Sequence, residues 1–149
     1  MRAVVQRVKR AQVEVGGLVK VAIDRGLLVF VGIEKGDGAA DVEYIASKLV
    51  GLRIFEDGEG KMNLSVSESD GSLLIVSQFT LLGDGRKGRR PSFGAAEEPG
   101  RAKELYETLI TSIRQEGLTV ESGEFQAHME VGLVNDGPVT ILLDSRRLF

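Results

Sequence analysis

The sequence is a series of short apolar segments separated by turn-forming residues, so each segment is long enough only for a β-strand or a short helix. The longest apolar run, residues 26–33 (GLLVFVGI), is rich in β-branched residues and predicts a buried strand. Residues 12–15 and 18–23 flank Gly16-Gly17, a pair typical of a two-residue hairpin. Further strands are predicted at residues 3–8, 53–55, 72–82, 118–122, 129–134 and 139–143.

Two segments carry apolar residues at helical spacing. In the first, apolar residues fall at offsets 0, 3, 4 and 7, and Asp41 precedes them as a cap or first-turn acid. The second runs over residues 99–116, with Pro99 in its first turn, Glu97 and Glu98 before it and Gly117 after it. The apolar faces are Val42, Ile45, Ala46 and Leu49 in the first helix and Leu105, Leu109, Ile110 and Ile113 in the second.

Many short strands around two helices, without regular βαβ alternation, predict an α+β fold. We expect a curved, barrel-like, mostly antiparallel sheet with two helices packed on it. The 149 residues suit a single domain over residues 1–149. A turn at Asn135-Asp136-Gly137 is expected to join the last two strands as a hairpin. The terminal residues 144–149 are expected to be poorly ordered unless they dock on the domain.

Composition excludes several kinds of site. The chain has no Cys, which excludes thiol catalysis, disulfides and thiolate metal sites, and its one His, His128, excludes a multi-histidine metal site. We interpret His128 as structural and expect neither a metal nor a cofactor. The glycine spacing of residues 83–88 matches GxGxxG, but no helical pattern follows, so dinucleotide binding is not predicted. No apolar run approaches the roughly 18 residues of a membrane span, so we expect no membrane partner and a cytoplasmic protein.

Residues 83–93 (GDGRKGRRPSF), here called the basic loop, are the most cationic stretch. The net charge of the chain is −3, so a polyanion would have to be bound by a local patch of this kind. Composition leaves two interpretations open: a loop for a phosphate backbone, or a solvated surface. The basic residues are Arg86, Lys87, Arg89 and Arg90.

Ser77-Gln78-Phe79-Thr80-Leu81 ends a predicted strand and leads into the basic loop. Hydroxyl and amide side chains at a strand end are well placed for a site. An ordinary strand with alternating faces explains the same residues. Pro138 also allows two interpretations, a functional residue or an ordinary one, since proline is tolerated as the first residue of a strand.

Several segments together resemble the D-aminoacyl-tRNA deacylases, over nearly the whole chain. Two of them form a specific signature: SQFTL at residues 77–81 and NDGPVT at residues 135–140. The supporting segments are KGRRPSF at 87–93, MRAVVQRV at the N-terminus, RIFEDGEGKMN at 53–63 and RAKELYETL at 101–109.

The resemblance implies a homodimer that hydrolyses the ester of a D-amino acid, or of glycine, to tRNA without a metal. It implies a catalytic segment of Ser77, Gln78, Phe79 and Thr80, with the backbone N–H groups of Phe79 and Thr80 as oxyanion donors. It also implies a cis Gly137–Pro138 pair inserted into the partner's site, where its carbonyls exclude L-amino acids. Arg7, in the family-like QRV segment, is our candidate for holding that pair in place. The four basic-loop residues are the expected tRNA contacts.

Catalysis is expected to be assisted by the terminal ribose hydroxyl of tRNA, because the residues offer no evident acid–base pair. Thr80 as a covalent nucleophile is a mechanistic variant of this prediction. A catalytically silent dimer that binds tRNA or other RNA through the basic loop is the alternative function.

Overall fold

The computed structural model describes residues 1–149, which form eight strands, two α-helices and one short 3-10 helix. Neither α-helix is both long and apolar enough to span a membrane. The strands are β1 (Arg2–Val15), β2 (Leu18–Ile23), β3 (Gly26–Gly32), β4 (Phe55–Glu56), β5 (Met62–Leu64), β6 (Ser72–Ser77), β7 (Val120–Ser122) and β8 (Glu130–Asp144). The helices are α1 (Ala39–Gly51), the 3-10 helix (Phe79–Leu82) and α2 (Pro99–Gln115).

The main sheet has the order β2-β1-β3-β6-β7, and β8 also pairs with β1. Strand β1 is antiparallel to β2, β3 and β8, whereas β3–β6 and β6–β7 are parallel pairs. The sheet nearly closes into a barrel, and β4 and β5 form a separate antiparallel pair. The predicted α+β class with a curved, mostly antiparallel sheet is therefore confirmed.

Both predicted helices form, and their apolar faces join the core. Residues 42, 45, 46 and 49 of α1 are buried, as are residues 105, 109, 110 and 113 of α2. Glu98 is the N-cap of α2 and accepts hydrogen bonds from the backbone N–H groups of Gly100 and Arg101. Asp41 is a first-turn acid of α1, where its carboxylate accepts from the Gly38 N–H at 2.9 Å.

The predicted hairpin at residues 135–137 is wrong. Strand β8 continues through it from Glu130 to Asp144 because β1 supplies a partner along almost its whole length, with register shifts beside Val8. The Asn135 side chain donates to the Arg7 carbonyl oxygen at 2.9 Å and to the Val139 carbonyl oxygen at 3.0 Å. The turn-forming residues thus lie at an irregularity within one strand and do not join two strands.

Two other predicted boundaries are corrected. Residues 3–8 and 12–15 belong to one continuous strand, β1, which pairs with different neighbours along its length. The strand predicted over residues 72–82 ends at Ser77, and the chain then turns into the 3-10 helix. The residues after β8 dock through Arg146, which donates to the Lys35 carbonyl oxygen at 2.7 Å.

Candidate active site

A cavity of about 510 Å³ opens where β6 ends. Ser77, Gln78 and Phe79 line one part of its wall, and residues 125–129 and the start of α2 line others. Most of the lining is apolar, with a few polar groups among it. That composition is typical of a small-molecule site. The structure therefore brings three of the four residues predicted for catalysis into one cavity.

The parallel pairing of β3 and β6 sets the position of the catalytic segment. Ser77 is in register with Val31, and the Gln78 N–H donates to the Val31 carbonyl oxygen at 2.8 Å. Thr80 does not line the cavity, but its hydroxyl accepts a hydrogen bond from the Gln78 side-chain amide. The segment is thereby fixed at the strand end, with Thr80 beside the cavity wall.

Gly32 allows this close packing and was missed in the sequence. A Cβ at Gly32 would lie 2.4 Å from Leu82 Cδ2 and 3.0 Å from the Gln78 carbonyl oxygen. A larger residue would therefore displace the Leu82 side chain and press on the Gln78 backbone, where the 3-10 helix starts. The only hint in the sequence is a glycine inside an apolar strand, which can mark a close backbone approach.

The basic loop is closed at its base by a pair of backbone hydrogen bonds. The Asp84 N–H donates to the Ser92 oxygen at 2.8 Å, and the Ser92 N–H donates to the Asp84 oxygen at 2.9 Å. Arg86 donates from Nε and Nη2 to the Asp84 carboxylate at 2.8 and 2.7 Å, which holds the pKa of Asp84 well below its usual value. Lys87, Arg89 and Arg90 are exposed and have no carboxylate within 4.0 Å. The four cations predicted as tRNA contacts thus divide into one that is paired and three that are free.

The peptide bond between Gly137 and Pro138 is cis, and both residues are exposed on β8. Neither lines the cavity of its own chain. Arg7 is buried beside them and donates from Nε to the Asp136 oxygen at 3.1 Å and from Nη1 to the Ile54 oxygen at 2.7 Å. Arg7 therefore has the predicted contact with the backbone next to the pair, and its role in selection stays a prediction.

The segment before β8 forms a part of the cavity wall that sequence reasoning did not find. Phe125 packs against Tyr106 with ring centroids 5.8 Å apart, and Gln126 has a positive φ of 63° in the turn that follows. His128, interpreted as structural, is exposed and lines the cavity. The residues have no periodic pattern or motif that would have indicated this. No group of three or more His, Asp and Glu side chains is arranged to hold a metal ion.

Comparison with known proteins identifies the family. Residues 4–144 match the family described as D-Tyr-tRNA(Tyr) deacylase. The chain belongs to this deacylase family. The family assignment confirms the resemblance drawn from the motifs and the enzyme class, a hydrolase.

Individual relatives of the deacylase agree with this assignment. The D-aminoacyl-tRNA deacylase of Anaeromyxobacter dehalogenans is 61% identical over 149 residues, covering 100% of both chains. A solved structure named c-Myc DNA Unwinding Element Binding Protein is 41% identical, with a TM-score of 0.91 over 97% of this chain and 98% of that one. A probable eukaryotic D-amino acid tRNA deacylase has the same fold, with a TM-score of 0.77, 20% identity and coverage of 95% and 97%.

Proposed function

We propose that this deacylase hydrolyses the ester that joins a D-amino acid to the terminal adenosine of tRNA. The observation that carries the proposal is that the cavity wall formed by Ser77, Gln78 and Phe79 leads directly into the basic loop. The cavity has room for an aminoacyl-adenosine group, while the loop offers cations to the RNA backbone outside it. The family and the names of its relatives support the same substrate.

The proposed chemistry relies on positioning and on stabilisation of the oxyanion. Phe79 and Thr80 begin the 3-10 helix, so their backbone N–H groups have no acceptor within that helix. Such groups are suited to an oxyanion that forms when water attacks an activated ester. The adjacent ribose hydroxyl of tRNA is the proposed aid to that water, and Thr80 acts in positioning through its bond to Gln78.

Chiral selection is proposed to come from Gly137 and Pro138 of a second subunit. Both residues are exposed and lie outside the cavity of their own chain, which is consistent with use by a partner. Their carbonyl groups would collide with the side chain of an L-amino acid and leave a D-amino acid unhindered. Because this filter is steric, glycine attached to tRNA should also be hydrolysed. The active unit on this proposal is a homodimer with its sites at the interface.

Assays of purified protein with D-aminoacyl-tRNA, L-aminoacyl-tRNA and glycyl-tRNA test the proposal. We expect free amino acid from the D- and glycyl substrates and little from the L-substrate. Sedimentation under the assay conditions should give the mass of a dimer. Hydrolysis of all three substrates at similar rates would contradict the proposed filter but not the esterase activity.

A nucleic-acid-binding protein without catalysis is the second candidate. It is favoured by the three unpaired cations of the basic loop and by the 41% identical relative, which is named as a DNA-element-binding protein. Binding of deacylated tRNA or duplex DNA, with no release of D-amino acid above the rate without protein, would support this candidate over the deacylase.

A further inference from the structure

Two exposed aromatic rings stand at the two ends of the basic loop. Phe79 precedes the loop and Phe93 ends it, with ring centroids 5.2 Å apart and ring planes at 71°. Phe79 is 57% exposed and Phe93 is 37% exposed. Gly83 lets the Phe93 ring approach closely, since a Cβ there would lie 3.0 Å from Phe93 Cε1. The two rings therefore form one exposed aromatic patch held against the backbone.

This patch joins the cavity to the base of the basic loop, which carries the free cations. Phe79 lines the cavity, whereas Phe93 follows directly on the stretch that carries Lys87, Arg89 and Arg90. The backbone pair between Asp84 and Ser92 closes the loop next to Phe93. A polyanion held by the loop would thus pass the aromatic patch on its way into the cavity.

Aromatic rings beside positive charge are the combination by which proteins bind single-stranded nucleic acids. Every base has a π-face, so stacking tolerates sequence variation, while the cations neutralise the phosphates. A partner protein surface would have to place an acidic patch against the three free cations as well as cover the rings. The charge of the loop therefore favours a nucleic acid.

We propose that Phe79 and Phe93 form a stacking platform for an unpaired base at the 3′ end of the RNA, next to the nucleotide held in the cavity. The platform rests on the proposed function, because it takes tRNA as the substrate. It adds recognition of a base to the phosphate contacts of the loop.

A tryptophan at the platform gives a direct test, because the chain contains no Trp. In the full-length Phe93→Trp variant, the only indole would report stacking through quenching of its fluorescence. The probes are a short single-stranded RNA with the 3′-terminal sequence of tRNA and an abasic strand with the same sugar–phosphate backbone. We expect saturable quenching by the base-bearing strand and little by the abasic strand. Equal quenching by both strands, or none by either, would overturn the platform.

Kinetics of Phe93→Leu and Phe93→Tyr separate stacking from packing. Leucine keeps an apolar side chain but removes the ring, so KM for D-aminoacyl-tRNA should rise about fivefold or more while kcat changes little. Tyrosine should retain a KM close to that of the wild type. A normal KM for the leucine variant, or loss of its dimer mass in sedimentation, would overturn the platform, since the second result makes Phe93 a subunit contact.

The wild-type assay keeps the two proposals apart. If the unmodified protein releases no D-amino acid while the tryptophan variant still distinguishes bases from abasic RNA, the proposed function fails and the platform stands. If the unmodified protein is active and the tryptophan variant shows no base-dependent quenching, only the platform fails.

Discussion

Arg7 donates a hydrogen bond from Nε to the backbone oxygen of Asp136, 3.1 Å away, immediately before the Gly137–Pro138 pair. The same guanidinium donates from Nη1 to the Ile54 oxygen at 2.7 Å, so it ties β8 to the segment that precedes β4. Its side chain is almost fully buried, so the guanidinium depends on these protein partners in place of water. Arg7 thus holds the backbone immediately before the two residues of the proposed chiral filter.

Arg7→Lys tests this role. Lysine keeps the charge but lacks the planar fork that reaches both carbonyl oxygens, so we expect the free energy of unfolding to fall by about 1.5–3 kcal/mol. Discrimination between D- and L-aminoacyl-tRNA should fall more than the rate on the D-substrate. Denaturant unfolding and paired deacylation assays measure the two effects. An unstable variant with unchanged discrimination would make Arg7 purely structural.

Because one cation of the basic loop is paired with a carboxylate and three are free, we predict that they contribute unequally to tRNA binding. Replacing Lys87, Arg89 and Arg90 together with Ala should flatten the dependence of log K on log salt concentration by about 2–3, since each lost contact contributes 0.7–0.9. Arg86→Ala should change this slope less, because Asp84 already neutralises Arg86. Binding titrations over a salt series test both variants. Unchanged slopes throughout would make the loop a solvated surface.

The sequence predicted the elements whose pattern is local. The spacing of Val42, Ile45 and Leu49 is enough to define α1, and the β-branched run at 26–33 is enough to define β3. It failed at Asn135 to Gly137, where turn chemistry was outweighed by pairing with β1, a strand more than a hundred residues away. Local sequence propensity carries no information about a pairing strand so far away along the chain.

The candidate site likewise contains residues that the sequence predicted and residues that it did not. Motif resemblance located Ser77, Gln78 and Phe79, which the fold brings to one cavity. It did not find His128 in the cavity wall, because that depends on how the segment before β8 folds back towards β6, nor the pairing of Arg86 with Asp84, a local contact two residues apart that no motif marks. The resemblance assigned Gly137 and Pro138 to the site of a partner subunit; within one chain they lie outside the cavity, and that assignment stays a prediction.

Thr80 separates substrate-assisted catalysis from covalent catalysis. Thr80→Ala should keep substantial deacylation if the ribose hydroxyl assists the attacking water, since the backbone N–H groups remain in place. A substrate that ends in 2′-deoxyadenosine should then react about a hundredfold more slowly or worse. Single-turnover assays with both substrates test this. Complete loss of turnover in the variant, with normal cleavage of the deoxy substrate, would instead indicate a nucleophilic Thr80.

Gly32 links the core of the sheet to the geometry of the catalytic segment. In Gly32→Ala the new methyl group would lie 2.4 Å from Leu82 Cδ2 and 3.0 Å from the Gln78 carbonyl oxygen, so the buried Leu82 side chain must move and the backbone at the start of the 3-10 helix must give way slightly. We expect a loss of about 1–3 kcal/mol in the free energy of unfolding and a fall in kcat, because the N–H groups of Phe79 and Thr80 move with that helix. Gly51→Ala is the matched control: its Cβ would meet nothing within 4 Å, and alanine is the better helix former. Equal kcat values for the two folded variants would mean that the position of the 3-10 helix does not limit the reaction.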